Sequence, residues 1–319
     1  MRVGRAAGVT DTGRKRRRNE DAYVVQPPLF AVADGMGGAQ AGEVASKLAA
    51  AALEDTDHGQ LRGPEGVVAL IQEANRRVYE RANEDPSASG MGTTMTVALV
   101  EDGNVVIGHV GDSRAYLIRD GSLEQLTDDH SLVNELMKSG KLSPEEAETN
   151  PQRSVITRAL GTDPDVDVDT FTIEAREDDL FLLCSDGLTS MIGDTAILDV
   201  LERHRQDLDR AARTLVSEAN RGGGEDNITV VAFEIAAGGA EDLEETRQLP
   251  AADDEDTLSG LERIPAVDTM VVPPDQVEAV AARGASPAER RRPAYWRLVA
   301  AMLFLLAVAA VLVVWGLFR

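Results

Sequence analysis

Four aspartates, each abutting an aliphatic run, restrict this chain more than any other feature of its sequence. Asp34 follows residues 29–33 and Asp112 follows residues 105–110; Asp186 follows Leu180–Cys184, and Asp226 precedes residues 228–233. They lie 78, 74 and 40 residues apart, so no single helix or loop gathers them. A sheet can, because several strand ends share one edge. Strand ends are rigid, and carboxylates placed there face solvent, where a hard divalent cation can reach them. The glycines after Asp34 and Asp186 allow sharp turns that also aim a backbone carbonyl at such an ion. One Asp-Gly pair is ordinary turn text. Four acids in the same setting point to a metal-binding edge.

The rest of residues 1–240 supplies the sheet. LFAVADG, TTMTVALVEDG, NVVIGHVGDSRAYLIRDG, DDLFLLCSDG and NITVVAFEI are short β-branched or aliphatic runs punctuated by turn residues. Asp102-Gly103 reads as the turn of a hairpin. Helical spacing marks residues 42–53, 65–83, 131–138, 195–200 and 208–219. Hairpins joined directly, with helices in blocks between them, predict an α+β fold with antiparallel sheets rather than a doubly wound parallel one. A hydrophobic fraction of 43% is enough for a real core, which excludes disorder throughout. The net charge of −23 argues against nucleic-acid binding. Cys184 is the only cysteine, so an intrachain disulfide and a Cys-ligated zinc are both excluded.

The C-terminal quarter has a different composition. Residues 241–289 hold 13 acids and 3 arginines, with prolines at 250, 265, 273, 274 and 287. Such text buries too little apolar surface to offset its ordering entropy, and it reads as a disordered acidic linker over 241–294. The apolar-plus-Thr cluster at 267–272 reads first as incidental spacer, second as a docking or phosphorylation site. Residues 298–318 are 21 in a row without a charge, about 30 Å of helix, flanked by Tyr295, Trp296 and Trp315. Residues 295–319 are therefore expected to be a single transmembrane helix and short tail. Arg290, Arg291, Arg292 and Arg297 precede the run and only Arg319 follows it, which places the domain at 1–240 in the cytoplasm.

Residues 14–18 are five consecutive cations followed by Asn19, Glu20 and Asp21. An arginine near a carboxylate metal site suits a phosphate dianion, which a guanidinium grips with two parallel hydrogen bonds. The residues alone therefore point to metal-assisted hydrolysis of a phosphate ester.

NEDAY, FAVADGMGG, GTTMTVALV, VGDSRAYL, LTDDHS, RALGTDPDVDVD, LLCSDGL and GGEDNITVVAFE occur in that order. Together they resemble the metal-dependent protein phosphatases of the type 2C serine/threonine family, in its bacterial, membrane-tethered branch, from about Thr10 to Phe233. The resemblance implies a four-layer α-β-β-α sandwich with two central antiparallel sheets and the metal site at one edge between them. It implies two tightly bound Mn²⁺ or Mg²⁺ ions bridged by Asp34, with Gly35 ligating through its carbonyl and Asp186 and Asp226 completing the first ion's set. Asp112, with Asp186, matches a weaker third site. Glu20 and Asp21 match acids that support the metal-bound water, and Arg16 matches the phosphate-binding arginine. The family's flap corresponds to residues 131–159.

The implied reaction is direct attack on phosphoserine or phosphothreonine by a hydroxide bridging the two ions. No phospho-enzyme forms, and Cys184 is a small buried hydrophobe rather than a nucleophile. Members from higher organisms carry a histidine after the bridging Asp-Gly; here that residue is Met36, so the acid is either metal-bound water or a group not assigned. Among the four histidines, His130 in TDDHS reads first as a loop histidine in a hydrogen bond and second as the acid. The implied partners are phosphorylated proteins, among them membrane serine/threonine kinases and their substrates. Two competing readings are a metal-dependent phosphodiesterase or nuclease, disfavoured by the negative field, and a membrane-anchored pseudophosphatase, which would need a missing ligand.

Overall fold

The elements follow in chain order, in a computed structural model that describes residues 1–37, 41–57, 62–237 and 270–271. The first third holds β1 (Arg2–Asp11), β2 (Asp21–Gln26), β3 (Leu29–Met36), α1 (Ala41–Glu54), α2 (Gly63–Glu84) and β4 (Gly92–Thr93). Then come β5 (Met95–Glu101), β6 (Asn104–Val110), β7 (Arg114–Arg119), β8 (Ser122–Gln125), α3 (Leu132–Lys138), α4 (Pro144–Glu148) and β9 (Val155–Ile156). The domain closes with β10 (Asp169–Glu174), β11 (Leu180–Cys184), α5 (Asp186–Thr189), α6 (Asp194–Arg203), α7 (Leu208–Gly222) and β12 (Ile228–Ala236). A two-residue strand, β13 (Met270–Val271), follows from the acidic linker.

Two antiparallel sheets form the centre, in the orders β1-β12-β11-β7-β8 and β10-β6-β5-β3-β2, with β4 also paired to β3. Their facing sides interlock through aromatics: Phe30 stacks on Phe233 at 4.1 Å and Phe181 on Phe233 at 5.1 Å. The outer face of the β3 sheet is covered by α1 and α2, through Leu53, Ile71 and Val78 against Val97 and Leu99. The outer face of the β12 sheet is covered by α6 and α7, through Leu201 and Leu215 against Leu182 and Val230. Helix α7 fits this place because Leu208, Ala211, Ala212, Leu215, Val216 and Ala219 recur at i, i+3, i+4 on one buried face. The expected α-β-β-α layering is thus present in the described residues.

The hairpin at Asp102-Gly103 is also present, with both residues at positive φ (45° and 82°), as a two-residue turn matched to strand twist requires. A Cβ on Gly103 would meet nothing within 4 Å, so Gly103→Ala costs only backbone strain. Chemical denaturation is expected to show a loss of about 1 kcal/mol with an unchanged m-value. A loss of several kcal/mol would mean that the turn carries contacts beyond its backbone.

The strands missing from the sequence reading share a position. β1, β2, β8 and β10 are the outermost strands of the two sheets, where one edge meets solvent and polar text is tolerated. β1 carries its arginines there, with Arg5 paired to Glu234 of β12 at 2.6 Å. A second difference lies in the linker. Met270 and Val271, within the cluster read first as spacer, pair in parallel with Val155 and Ile156.

Among the described residues no helix is long and apolar enough to cross a membrane. The run 298–318, expected to be a transmembrane helix, lies outside the described residues, as does most of the linker.

Candidate metal centre

The acids meet where the two sheets end on the same side. Asp21 and Asp34 are opposite one another in the β2–β3 ladder. Asp34 lies inside β3 rather than beyond it, because the strand continues through Gly35 and Met36 to pair with β4. Asp112 follows β6 in the turn before β7. Asp186 opens the short helix α5 two residues after β11 ends, and Asp226 stands two residues before β12. Only glycine fits after Asp34: a Cβ on Gly35 would lie 2.2 Å from the Gly42 carbonyl oxygen and 2.4 Å from that of Glu20.

Hydrogen bonds lock these loops together. The Asp34 N–H donates to Thr94 Oγ1 (2.9 Å), and Thr94 Oγ1 shares a hydrogen bond with Ser113 Oγ beside Asp112 (2.9 Å). The Ser185 hydroxyl donates to Asp21 Oδ2 (2.9 Å) and accepts from the Thr229 N–H (2.9 Å), which joins β11, β12 and β2. Asn227 ties down the basic segment, donating to the carbonyls of Thr12 and Arg18 (2.9 and 2.8 Å) and accepting from the Glu20 N–H (2.7 Å). The Glu20 carboxylate lies over Gly42 in the first turn of α1: a Cβ there would stand 2.5 Å from Glu20 Oε2. Arg16 Nη2 donates to Asp226 Oδ2 at 2.7 Å.

Negative charge is concentrated here with only partial compensation from Arg16. Asp34, Asp112, Asp186 and Asp226 are half-buried, while Asp21 is buried. Burial, then the charges of Asp21, Asp186, Asp226 and Asp112, raises the Asp34 carboxyl well above the usual carboxylate range. Burial and then Asp186 do the same to Asp112. Burial and then Asp226 push Asp186 up to about 6, against a hydrogen bond with Asp34 and the charge of Arg16. Burial pushes Asp21 up to about 7, opposed by the Thr229 hydroxyl and reinforced by the charge of Asp226. Burial disfavours the Arg16 cation, but Asp226, then Asp34 and Glu20, outweigh it.

Two buried carboxylate oxygens, Asp21 Oδ1 and Asp186 Oδ1, have no hydrogen-bond partner. An all-oxygen donor set with spare lone pairs and excess negative charge fits a hard divalent cation. Among the described residues no three acidic, histidine or cysteine side chains already surround one point as ligands. The fold has brought the charge together without closing a cage.

Two cavities open onto the cluster. The larger, about 800 Å³, runs between Asp112 and Asp186 and the flap helices, with Asn134 and Met137 of α3 and Ala147 of α4 in its wall. The smaller, about 320 Å³, is lined by Lys15, Arg16, Asp186 and Asp226. Arg153 and Ser154, just before β9, border both.

Comparison with known proteins places this architecture. The profile of the family described as protein phosphatase 2C matches residues 13–223.

The chain belongs to the protein phosphatase 2C family.

It is 42% identical over 236 residues to the serine/threonine phosphatase stp of Listeria welshimeri, spanning 70% of this chain and 93% of that protein. To the serine/threonine protein phosphatase PstP of Mycobacterium tuberculosis it is 41% identical over 235 residues, 73% of this chain and 45% of that protein. The crystal structure of that phosphatase superposes with a TM-score of 0.70 at 40% identity, covering 74% of this chain and all of the solved one. A PstP catalytic domain solved in complex with two manganese ions gives a TM-score of 0.68 at 38% identity, over 74% of this chain and all of that one. This chain is accordingly a serine/threonine phosphatase of a Mn²⁺/Mg²⁺-dependent family.

One expectation about the site of this 2C phosphatase is corrected. His130 does not border either cavity, and both its ring nitrogens are engaged. Nδ1 accepts from the Gly111 N–H (3.0 Å), and Nε2 lies 3.2 Å from both Asp169 Oδ2 and Arg158 Nη1. Burial, then the Arg158 cation, lowers its pKa. A buried neutral ring so placed holds the loop before Asp112; it does not offer a proton to a leaving group. Sequence reasoning also missed Asn227, Ser185, Thr229 and Thr94. Asn227 and Ser185 adjoin predicted acids, and that adjacency was the only signal available.

Proposed function

We propose that this 2C phosphatase hydrolyses phosphoserine and phosphothreonine in proteins at the acid cluster around Asp34. Two divalent cations, Mn²⁺ or Mg²⁺, would be held by Asp34, the Gly35 carbonyl, Asp186 and Asp226, and a weaker third by Asp112 with Asp186. The observation that carries this reading is the convergence of Asp21, Asp34, Asp112, Asp186 and Asp226 from separate parts of the chain, with Asp21 Oδ1 and Asp186 Oδ1 buried and without a hydrogen-bond partner. When bound, such ions lower the pKa of water and polarise phosphoryl oxygens.

The chain's own groups orient the substrate. Arg16 stands at the cavity wall beside Lys15 and Asp226, where a phosphate dianion can take both guanidinium N–H groups of one edge. Asp226 holds that guanidinium in place beforehand, so little rotamer freedom is lost on binding. Glu20 and Asp21 hold the β2 side of the cluster in register with Asp34. The flap helices wall the wider cavity, which is open enough for a phosphorylated polypeptide.

Phosphate release from a phosphothreonine peptide in the presence of Mn²⁺ tests the reading; turnover that survives full chelation overturns it. Arg16→Ala is expected to raise KM about tenfold or more, the scale of a charge-assisted hydrogen bond, with a smaller fall in kcat. A loss confined to kcat would reassign Arg16.

The uncharged run 298–318 and its arginine flank support a single-pass membrane anchor (295–319), with the linker (241–294) and the catalytic domain (1–240) on the cytoplasmic side. Tethering would raise the local concentration of membrane serine/threonine kinases and their substrates. Recovery of the full chain from the soluble fraction of cells would count against the anchor.

A further inference from the structure

The flap strand β9 has two neighbours. On one side Ile156 bridges Ser131 in antiparallel fashion, and the Thr157 N–H donates to the His130 carbonyl (2.8 Å). On the other side lies β13, with Met270 opposite Val155 and Val271 opposite Ile156 in parallel register. The second neighbour comes from the acidic linker, more than thirty residues after β12 ends at Ala236.

The position of β9 gives that pairing consequences. Ile156 is fully buried and packs with Met36 and Ala159, and Met36 ends the strand that carries Asp34. Arg153 and Ser154 directly precede β9 and border both cavities. The Arg153 guanidinium lies 3.7 Å from the carboxylate of Glu225, the neighbour of Asp226. A strand added to β9 therefore acts on a flap segment that touches both the core under Asp34 and the substrate-facing wall.

The linker sequence suits a short added strand. Val-Asp-Thr-Met-Val-Val at 267–272 is β-branched and apolar within otherwise acidic text, with Pro265 before it and Pro273-Pro274 after it. β-branched and apolar residues favour a strand, and proline, which donates no ladder hydrogen bond, disfavours one. Loop-closure entropy grows only slowly with length, so the long connection costs little more than a short one. Strand addition to an open edge draws its affinity from main-chain hydrogen bonds, which are few here. The pairing is accordingly reversible.

We infer that Met270 and Val271 of the linker are an in-chain ligand of the flap: they pair with β9 and brace Arg153 and Ser154 at the cavity rim. The occupant of the β9 edge is this chain's own linker. The consequence for substrate rests on the phosphatase reading; the pairing itself does not.

Hydrogen exchange on the full-length chain tests it. The double variant Met270→Pro, Val271→Pro removes both N–H groups of β13 and lies outside the catalytic machinery. Ala251→Pro, elsewhere in the linker, is the control. Exchange in a peptide covering residues 153–157 is expected to rise several-fold, up to about tenfold, in the double variant, the scale of one backbone hydrogen bond. The control should match the parent chain, and a synthetic peptide of residues 266–274 should restore protection to the double variant. KM for a phosphorylated protein should rise while KM for a small aryl phosphate stays constant. Equal exchange in all three proteins overturns the inference, and protection that grows with protein concentration overturns it in favour of a second copy. Altered exchange in a chain without metal-dependent turnover would sink the phosphatase reading alone; normal turnover with unaltered exchange would sink the linker strand alone.

Discussion

Asp34→Asn is expected to lower kcat/KM for a phosphothreonine peptide by about a thousandfold or more, with Mn²⁺ saturating for the parent enzyme. The substitution keeps the shape of the side chain and removes its charge. Asp34 is the acid on which the others converge: the charges of Asp21, Asp186, Asp226 and Asp112 all act on it, which suits the bridging place proposed for it. Losing one bridging carboxylate weakens both sites together and with them the stabilisation of charge at the transferring phosphoryl group. Removal of a single preorganised stabiliser elsewhere costs about 10²–10³ in rate, and a bridging ligand should exceed that. The backbone should be indifferent, because the Asp34 N–H bonds Thr94 Oγ1 through the main chain. Circular dichroism should therefore match the parent. Turnover within tenfold of the parent would remove Asp34 from the reaction.

The chelated protein should lose stability as pH rises from about 5 to 8, and Mn²⁺ should restore it. Asp21 is pushed up to about 7 and Asp186 to about 6, and Asp34 and Asp112 are raised as well. Each raised carboxyl binds its proton more tightly in the folded chain than in the unfolded one. The folded state therefore holds more protons across this window, and stability falls with increasing pH. The contribution is fully present below the ordinary carboxylate range, near pH 4, and is lost once pH passes the raised values. Buried Asp21 dominates, and the half-buried acids add less because water reaches them. The summed effect is on the order of a few kcal/mol, or roughly 5–10 °C in Tm for a domain of this size. A cation between the carboxylates reverses the balance by binding only the folded state. Scanning calorimetry at several pH values, with chelator and with Mn²⁺, checks both signs. A chelated Tm that holds steady or climbs over this window would refute the charge argument, and Asp34→Asn should flatten the decline.

How much of this was legible beforehand differs by element. The central strands β3, β5, β6, β11 and β12 could be read from aliphatic runs because both their faces are covered, one by the facing sheet and one by helices. The edge strands β1, β2, β8 and β10 could not, since solvent on one side permits arginine, glutamate and glycine where a hydrophobic pattern is the only guide. Helix α7 was legible from its one-sided spacing. The turn helix α5 was not, because four residues hold too little periodicity to separate a strand end from a helical turn.

The acids could be nominated from their strand-end settings, and an arginine of the run 14–18 from its place next to Glu20 and Asp21, because carboxylate and guanidinium chemistry travels with the residue itself; Arg16 in particular was singled out by the family resemblance. Their convergence could not, because it depends on which strands become neighbours. That is settled by packing two hydrophobic faces through Phe30, Phe181 and Phe233, contacts between residues up to two hundred positions apart. The role of His130 also turned on position: an imidazole in a polar loop suggests a proton donor, and burial beside Gly111 and Asp169 makes it a strut. The same holds for Met270 and Val271, two apolar residues in acidic text that gain a role only because the fold leaves the edge of β9 open to them. Residue type sets which chemistry a chain can perform; long-range packing sets which residues are close enough to perform it.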